Sequence, residues 1–167
     1  MLGIVMAGGK SSRFGDEKLM QEIHGRKIID ISIENISLSH VENYFIAVSR
    51  NAPRTMNYCK KYNIIETPGN GYPEDVLYLL KLFKKPLLLL NGDSIFVNTG
   101  IINDFLSRYS GRSMTAVISY NGYRYIGLNI AVPGDEQDII IEYKTPILAL
   151  NINTKEDLKE AFNLVGK

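Results

Sequence analysis

A cluster of glycines and cations close to the start of the chain could bind a phosphate ligand. Residues 6–18 read MAGGKSSRFGDEK and directly follow a short apolar run at residues 2–5, which is typical of a strand. Glycine N–H groups at the end of a strand can bind phosphate oxygens, and the loop adds the cations Lys10, Arg13 and Lys18. The sequence therefore predicts that this loop binds a nucleoside triphosphate.

Two well-known phosphate-binding motifs do not fit this loop. A Walker A motif needs a further glycine five places before the one that precedes Lys-Ser, but the residue five places before Gly9 is Ile4. The dinucleotide motif needs glycines at its first, third and sixth positions, whereas the next glycine after Gly8 and Gly9 is Gly15. The loop therefore predicts a different class of nucleotide site.

The cations of the loop suit different tasks at a triphosphate. The planar guanidinium of Arg13 can hold two phosphate oxygens at once, and the mobile ammonium of Lys18 suits an α-phosphate whose charge increases during attack. We interpret both as catalytic phosphate ligands, against the alternative that they are solvated surface groups. For Lys10 the two interpretations stay open.

An acidic residue follows one of the predicted strands at the place where α/β proteins bind ligands. Asp93 comes directly after the run LLLLNG, and ligands of parallel sheets lie outside the carboxyl ends of the strands. Mg²⁺ prefers carboxylate and phosphate oxygens and usually takes only one or two protein ligands. We therefore predict that Asp93 is catalytic and holds Mg²⁺ beside the triphosphate. The alternative is an ordinary turn aspartate after Asn91 and Gly92.

The elements that must position these residues alternate between strand and helix. This order predicts the α/β class, with a mostly parallel sheet flanked by helices. Apolar runs predict strands at residues 2–6, 44–49, 64–67, 87–91, 114–120, 126–132 and 139–142, with a further short strand at 147–150. Helical spacing predicts helices at 27–38, at 73–84, around 101–109 and after the capping pair Thr154 and Asp157. We see no internal repeat or linker, so residues 1–167 are expected to form a single domain.

The segment 27–38 fits two patterns. Its isoleucines alternate like those of a strand at positions 29, 31 and 33, and repeat like those of a helix at positions 29, 33 and 36. Because parallel neighbouring strands need a crossover connection, and only this segment lies between the first two strands, we interpret it as a helix.

The composition narrows the range of partners. The chain of 167 residues carries 19 basic and 18 acidic side chains, so its formal charge of +1 favours neither nucleic acid nor an anionic membrane. Cys59, in a stretch expected to be helical, is the only cysteine, which excludes an internal disulfide and favours a reducing compartment. The early charge at Lys10 and the lack of a long apolar run argue against a signal peptide and a membrane span. We therefore expect a cytoplasmic protein.

The loop resembles the signature of the nucleotidyltransferases that are related to molybdenum-cofactor guanylyltransferases. That signature is an apolar strand, Ala-Gly-Gly, two small residues, Arg, Phe or Met, Gly, and a lysine shortly after, and residues 2–18 match it in order. The resemblance implies a three-layer, Rossmann-like nucleotidyltransferase fold and nucleotide transfer with release of pyrophosphate. The residues expected to bind the nucleotide are Ala7, Gly8, Gly9, Lys10, Ser11, Ser12, Arg13 and Lys18.

Nucleotidyl transfer to a phosphate acceptor would explain what the sequence lacks. An acceptor phosphate already carries an oxyanion nucleophile, so the enzyme needs no general base and forms no covalent intermediate. It must hold the reactants in line, neutralise charge and ease the departure of pyrophosphate. The lack of a recognisable Ser, Cys or His triad is consistent with this reaction.

Three later stretches resemble the archaeal adenosylcobinamide-phosphate guanylyltransferases. They are SRNAPRTMNY at residues 49–58, ETPGNGYPED at residues 66–75 and LNINTKEDLK at residues 150–159. Molybdenum-cofactor enzymes usually have a proline two places after the metal aspartate, and here that place is Ile95. The resemblance implies GTP as donor, adenosylcobinamide phosphate as acceptor, and a role in cobamide (vitamin B12) biosynthesis.

The same resemblance implies roles for further residues. Asn153 is the expected partner of Asp93 at the metal, with Asn151 a weaker candidate, although Asn153 fits equally well as a loop residue before a helix. The residues expected near the base or the acceptor are Gly71, Tyr72, Glu74, Asp75, Gly127 and Asn129. Simpler interpretations are a turn, favourable charges in the first turn of a helix and, for Gly127, a bulge.

Three hypotheses about the function stay open. The first is Mg²⁺-dependent guanylyl transfer to adenosylcobinamide phosphate, the second is the same reaction on molybdopterin or a sugar phosphate, and the third is a non-enzymatic nucleotide-binding module. The short segment 120–125, with a hairpin expected near Asn121 and Gly122, puts the acceptor in question more than the nucleotide chemistry. An edge strand late in the sheet would support a homodimer, which nothing in the sequence selects.

Overall fold

The computed structural model describes residues 1–11, 14–96, 98, 100–119, 122–144 and 149–165. The strands are β1 (Leu2–Met6), β2 (Glu22–Ile23), β3 (Arg26–Lys27), β4 (Asn43–Val48), β5 (Ile64–Glu66), β6 (Leu87–Asn91), β7 (Ser94–Phe96), β8 (Met114–Ser119), β9 (Tyr123–Ala131), β10 (Ile139–Tyr143) and β11 (Ala149–Asn151). The helices are α1 (Ile28–Ser37), α2 (Pro53–Cys59), α3 (Tyr72–Phe83), α4 (Gly100–Ser107) and α5 (Lys155–Val165), and a 3-10 turn covers Lys18–Met20.

Seven strands form the central sheet in the order β10-β8-β9-β6-β1-β4-β5. β1 lies between β4 and β6 and is parallel to both, and β5 is parallel to β4. β9 runs antiparallel to its neighbours β6 and β8, while β10 is parallel to β8. The predicted mostly parallel sheet is therefore confirmed, and the carboxyl ends of β1, β4 and β6 lie side by side.

Helices cover both faces of the sheet, which gives three layers. On one face, α1, α4 and α5 bury residues such as Ile29, Phe105 and Ala161, each with 0% exposure. On the other face, α3 packs Val76 and Leu79 against the sheet. The successive leucines of β6 alternate between the two clusters, so this strand is buried on both sides, as is usual in a parallel sheet. The predicted three-layer, Rossmann-like fold is confirmed.

Most predicted elements are found close to their expected bounds, and the ambiguous segment 27–38 is the helix α1. The strand predicted at 147–150 is represented by β11, which pairs with β7 outside the main sheet; residues 145–148 lie outside the described residues. β8 and β9 pair up to Ser119 and Tyr123, as the predicted hairpin requires, although positions 120 and 121 are not described. The β2–β3 hairpin and β7 were not predicted. Among the described residues, no helix has the length and apolar character that crossing a membrane requires.

Candidate active site

A cavity of about 360 Å³ lies at the carboxyl ends of β1, β4 and β6. This is the edge at which parallel α/β sheets bind ligands. Its walls come from the loop after β1, from residues 69–72 at the start of α3, and from the turn after β6 that carries Asp93. The cavity is therefore built from the parts of the chain that the sequence predicted to bind the nucleotide, the metal, and the base or acceptor.

The loop after β1 presents glycine backbone to the cavity, and its neighbour Ser49 crowds the first of the two glycines. The N–H of Ala7 donates to Ala47 O at 2.7 Å, which continues the pairing of β1 with β4. The hydroxyl of Ser49 then donates to Gly8 O at 2.6 Å, and a Cβ on Gly8 would lie 3.1 Å from Cβ of Ser49. Gly8 and Gly9 both line the cavity, so this backbone is placed to bind an anion.

Lys18 connects the loop to the turn after β6. Its Nζ contacts the carboxylate of Asp93 and also donates to Oδ1 of Asn153 at 3.3 Å. The side chains of Lys18 and Asp93 are only 17% and 15% exposed, so this ion pair lies in the wall of the cavity. The structure therefore brings together the predicted cation and both predicted metal ligands.

The position of Asn153 follows from the pairing of β7 with β11 and from the cap of α5. The N–H of Ile152 donates to Asp93 O at 3.0 Å, which places the next residue beside the Asp93 side chain. The carboxylate of Asp157 accepts hydrogen bonds from the N–H groups of Asn153 and Thr154 at 2.8 and 2.7 Å. Although partial burial acts to raise it, these donors hold the pKa of Asp157 below its usual value. The predicted capping pair is confirmed, and it fixes the backbone that carries Asn153.

The opposite wall is a tight turn before α3. Asp75, which is 5% exposed, accepts a hydrogen bond from the N–H of Gly69 at 2.8 Å, and the side-chain amide of Asn51 donates to Gly69 O at 2.6 Å. Gly69 has a positive φ of 73°, and a Cβ there would lie 2.5 Å from Nδ2 of Asn51. Only glycine fits this position without displacing Asn51. Asp75 therefore holds the turn in place, which goes beyond its simpler interpretation as a favourable first-turn charge, and its role near the base or the acceptor stays a prediction.

Two of the predicted acceptor residues meet at the rim of the cavity. The amide of Asn129 on β9 donates to the hydroxyl of Tyr72 at 3.2 Å, and Tyr72 lines the cavity. Gly127 lies in an irregularity of the β8–β9 ladder, has a φ of 68° and packs against Asn91 and Ser94. The bulge interpretation of Gly127 is therefore right, and its role toward an acceptor stays a prediction.

The cavity unites most of the predicted site residues. Those that line it are Gly8, Gly9, Lys10, Ser11, Lys18, Gly71, Tyr72, Asp75 and Asp93. Ala7 and Gly127 are buried behind it, and Glu74 is exposed. The amide of Asn151 is occupied elsewhere, since it accepts from Ser94 Oγ at 2.6 Å and donates to Tyr125 O at 3.0 Å. Ser12 and Arg13 lie outside the described residues, so the roles predicted for them stay predictions.

Comparison with known proteins agrees with this geometry. The sequence profile of the MobA-like NTP transferase domain matches residues 3–153. The chain belongs to the MobA-like NTP transferase family. It is 31% identical, over an alignment of 195 positions including gaps, to the adenosylcobinamide-phosphate guanylyltransferase of Methanocaldococcus jannaschii, covering 100% of this chain and 98% of the relative. It is also 30% identical over 183 residues to a probable molybdenum cofactor guanylyltransferase of Aquifex aeolicus, covering 93% and 87% of the two chains.

Solved structures show the same fold at low sequence identity. The inositol-1-phosphate CTP transferase of T. maritima superposes with a TM-score of 0.77 at 13% identity, covering 99% of this chain and 95% of that one. The 4-diphosphocytidyl-2C-methyl-D-erythritol synthase of Anaerococcus prevotii superposes with a TM-score of 0.72 at 12% identity, covering 99% and 96%. These structures confirm the Rossmann-like fold that the sequence predicted, and the family match makes the MobA-like chain a nucleotidyltransferase.

Sequence reasoning missed three asparagines of this transferase site. Asn51, Asn70 and Asn91 line the cavity, and Oδ1 of Asn91 is buried without a hydrogen-bond partner among the described residues. Asn91 is the last residue of β6, so the rule that strand ends carry function could have identified it. Asn51 lies in the stretch 49–58, which resembles the guanylyltransferases as a whole, but nothing in its own sequence context indicates a role in binding.

The residues present fit a magnesium ion that is held jointly with a nucleotide. The carboxylate of Asp93 and the amide oxygen of Asn153 are hard oxygen donors, and both lie within reach of one ammonium group. No cluster of three or more Asp, Glu, His or Cys side chains that could hold a metal occurs in the described part of the chain. This pattern suits Mg²⁺, which usually takes one or two protein ligands and completes its coordination with phosphates and water.

Proposed function

We propose that this transferase moves GMP from GTP to adenosylcobinamide phosphate and releases pyrophosphate, in cobamide biosynthesis. The observation that carries the proposal is the meeting of Lys18, Asp93 and Asn153 at the wall of a glycine-lined cavity. Similarity to the guanylyltransferase of M. jannaschii over the whole chain supports the choice of donor and acceptor. The non-enzymatic interpretation is abandoned, because the chain belongs to a family of transferases.

The proposed reaction is an in-line displacement at the α-phosphorus of GTP. An oxyanion of the acceptor phosphate attacks, the bond from the α-phosphorus to the bridging oxygen breaks, and pyrophosphate leaves with the electron pair. No proton has to be removed from the nucleophile, so a general base is not needed. The backbone at Gly8 and Gly9 and the ammonium of Lys18 would bind and neutralise the phosphate oxygens on which charge increases.

Asp93 and Asn153 would hold Mg²⁺ beside the triphosphate. When bound, the cation would neutralise the charge of the departing pyrophosphate. Because Lys18 contacts Asp93, its ammonium and the cation would compete for the same carboxylate. The preorganised turn at Asp93 and the capped backbone at Asn153 would keep both oxygen donors in place.

A molybdopterin acceptor is the second candidate, favoured by the 30% identity to the A. aeolicus relative. Ile95 favours the cobinamide acceptor over molybdopterin, since molybdenum-cofactor enzymes usually have a proline at this position. In the structure Ile95 is 1% exposed and lies in β7, opposite Leu150 of β11. A change at this position would therefore alter the pairing that brings Asn153 to Asp93.

The test is pyrophosphate release from GTP, ATP and CTP in the presence of Mg²⁺ and a panel of phosphate acceptors. We expect turnover with GTP and adenosylcobinamide phosphate. Turnover with molybdopterin or a sugar phosphate, and none with cobinamide phosphate, would overturn the proposed acceptor while leaving the reaction class intact. Faster turnover with ATP or CTP than with GTP would overturn the proposed donor.

A further inference from the structure

Glu17 links the nucleotide loop to a helix much later in the chain. Its carboxylate accepts hydrogen bonds from the backbone N–H groups of Arg54 at 2.9 Å and Thr55 at 2.7 Å, and from the Thr55 hydroxyl at 2.7 Å. These N–H groups belong to the first turn of α2, where the side chain of the preceding cap residue usually binds them. Here the cap residue is Ala52, which forms no side-chain hydrogen bond. Glu17 therefore takes the place of the cap.

This contact differs from the ion pairs at the surface nearby. Thr55 is 1% exposed, so one partner of the Glu17 carboxylate is fully enclosed. Although burial acts to raise it, the donors of α2 hold the pKa of Glu17 below its usual value, so the carboxylate is charged at neutral pH. The neighbouring Asp16 pairs with Arg54 through side chains that are 49% and 59% exposed, and such a pair contributes little.

The chain around Glu17 leaves Lys18 little freedom. Met20 N donates to Glu17 O at 3.0 Å, which starts the 3-10 turn, and Lys18 N donates to Ser11 Oγ at 3.3 Å. Glu17 is therefore held by α2, and the next residue, Lys18, is held by Ser11 in the first half of the loop. The Lys18 side chain extends from this fixed point to Asp93.

We propose that Glu17 is a positioning residue for Lys18. Its bonds to α2 fix the second half of the loop so that the ammonium of Lys18 reaches both Asp93 and the nucleotide phosphate. This inference rests on the proposed function, since it assumes that Lys18 acts on a nucleotide. Glu17 would then influence the rate of the reaction although it touches neither the substrate nor the metal.

Glu17→Gln tests the proposal, because it keeps the size of the side chain but turns one acceptor oxygen into a donor that faces an N–H group. A displacement of about 1 Å at a catalytic group can cost on the order of 100-fold, so we expect kcat/KM to fall roughly 10- to 100-fold. The thermal midpoint should fall by only a few degrees. The matched control is Glu22→Gln, which removes an acid from an exposed ion pair with Lys27, 2.8 Å apart, and should leave kcat/KM unchanged.

A double-mutant cycle with Lys18→Ala separates positioning from general stabilisation. If Glu17 acts through Lys18, then Glu17→Gln should change kcat/KM by less than about threefold once Lys18 is absent. An equal loss in both backgrounds would overturn the proposal, as would native activity of Glu17→Gln. The same proteins are titrated with a fluorescent GTP analogue in the absence of acceptor, where the cycle should show the same coupling in affinity.

The two proposals fail in different ways. If the proposed acceptor is wrong, the native protein and all its variants will show no turnover with it. The coupling between Glu17 and Lys18 can then still be measured from their affinities for the nucleotide. If Lys18→Ala matches the native protein in both assays, the role of Lys18 in the proposed function is wrong, and the positioning role of Glu17 falls with it. If Lys18→Ala is impaired but uncoupled from Glu17→Gln, only the positioning role is wrong.

Discussion

Replacing Lys18 by alanine is expected to move catalysis and Mg²⁺ affinity in opposite directions. The ammonium of Lys18 contacts Asp93 in the cavity wall, and the two side chains are only 17% and 15% exposed. In the proposed reaction this ammonium neutralises charge on the α-phosphate, and the loss of one such group costs roughly 100- to 1,000-fold in kcat. The same change removes a competitor for the Asp93 carboxylate, so the cation should bind more tightly.

The expected increase in Mg²⁺ affinity can be calculated from the free energy that the ion pair between Lys18 and Asp93 contributes. A pair that is still partly exposed contributes about 1 kcal/mol, the upper end of the range for surface pairs. A free energy of about 1 kcal/mol corresponds to roughly a fivefold change in affinity. The Mg²⁺ concentration that gives half-maximal pyrophosphate release should therefore fall about fivefold in Lys18→Ala, while kcat falls roughly 100-fold or more.

Initial rates of pyrophosphate release over a Mg²⁺ titration, at saturating GTP and acceptor, measure both quantities. The control is Lys27→Ala, which removes a lysine from a surface ion pair with Glu22 and should change neither. A higher Mg²⁺ requirement in Lys18→Ala would refute the competition for Asp93. A kcat within about threefold of the native value would refute the catalytic role of Lys18.

Three other changes should affect stability or reactivity. Gly127→Ala should cost about 2–4 kcal/mol in thermal unfolding, because its methyl group would lie 2.8 Å from Cβ of Asn91 at a φ that disfavours alanine. Gly134→Ala, at a φ of 78° but with no atom within 4 Å, should cost much less, and equal losses would contradict the packing argument. Asp157→Asn should cost about 1 kcal/mol near neutral pH in urea unfolding. Because the folded pKa of Asp157 is lowered, that difference should shrink as the pH falls below about 4, and a constant difference would exclude the charged cap. Burial raises the pKa of the Cys59 thiol to about 11, so a thiol reagent at pH 8 should label the folded protein far more slowly than the urea-unfolded protein.

The parts of the site that sequence reasoning found are those with a local signature. Lys18 belongs to a loop with a recognisable order of residues, and Asp93 follows closely after a strand that begins with four leucines. Each of these two patterns involves only a few consecutive residues. The parallel pairing of β1 and β6 then brings the two strand ends together. Asn153 was found through resemblance to a family, because a single asparagine before a helix is equally well explained as a loop residue.

The contacts that could not be predicted join residues far apart in the sequence. The residues around Glu17 do not indicate that its carboxylate caps α2. The sequence shows only that Ala52, at the cap position, has no side chain that could cap the helix. Gly127 could be read as a bulge or as an open acceptor surface, and the choice depends on Asn91 and Ser94 behind it. Such contacts depend on three-dimensional packing, which the periodicity of one segment does not reveal.

The turn that carries Asp93 shows how these distant contacts serve the chemistry. The N–H of Gly92 donates to Met6 O at 2.9 Å, the buried hydroxyl of Ser32 donates to Gly92 O at 2.7 Å, and Asp93 O accepts from Ile152 N at 3.0 Å. The turn is thus held by β1, by α1 and by the segment after β11. Electrostatic catalysis depends on charged groups that need no reorganisation when the reaction proceeds. Because three separate parts of the chain hold the backbone of this turn, Asp93 would keep its position if Mg²⁺ replaced Lys18 as its partner, as the proposed function requires.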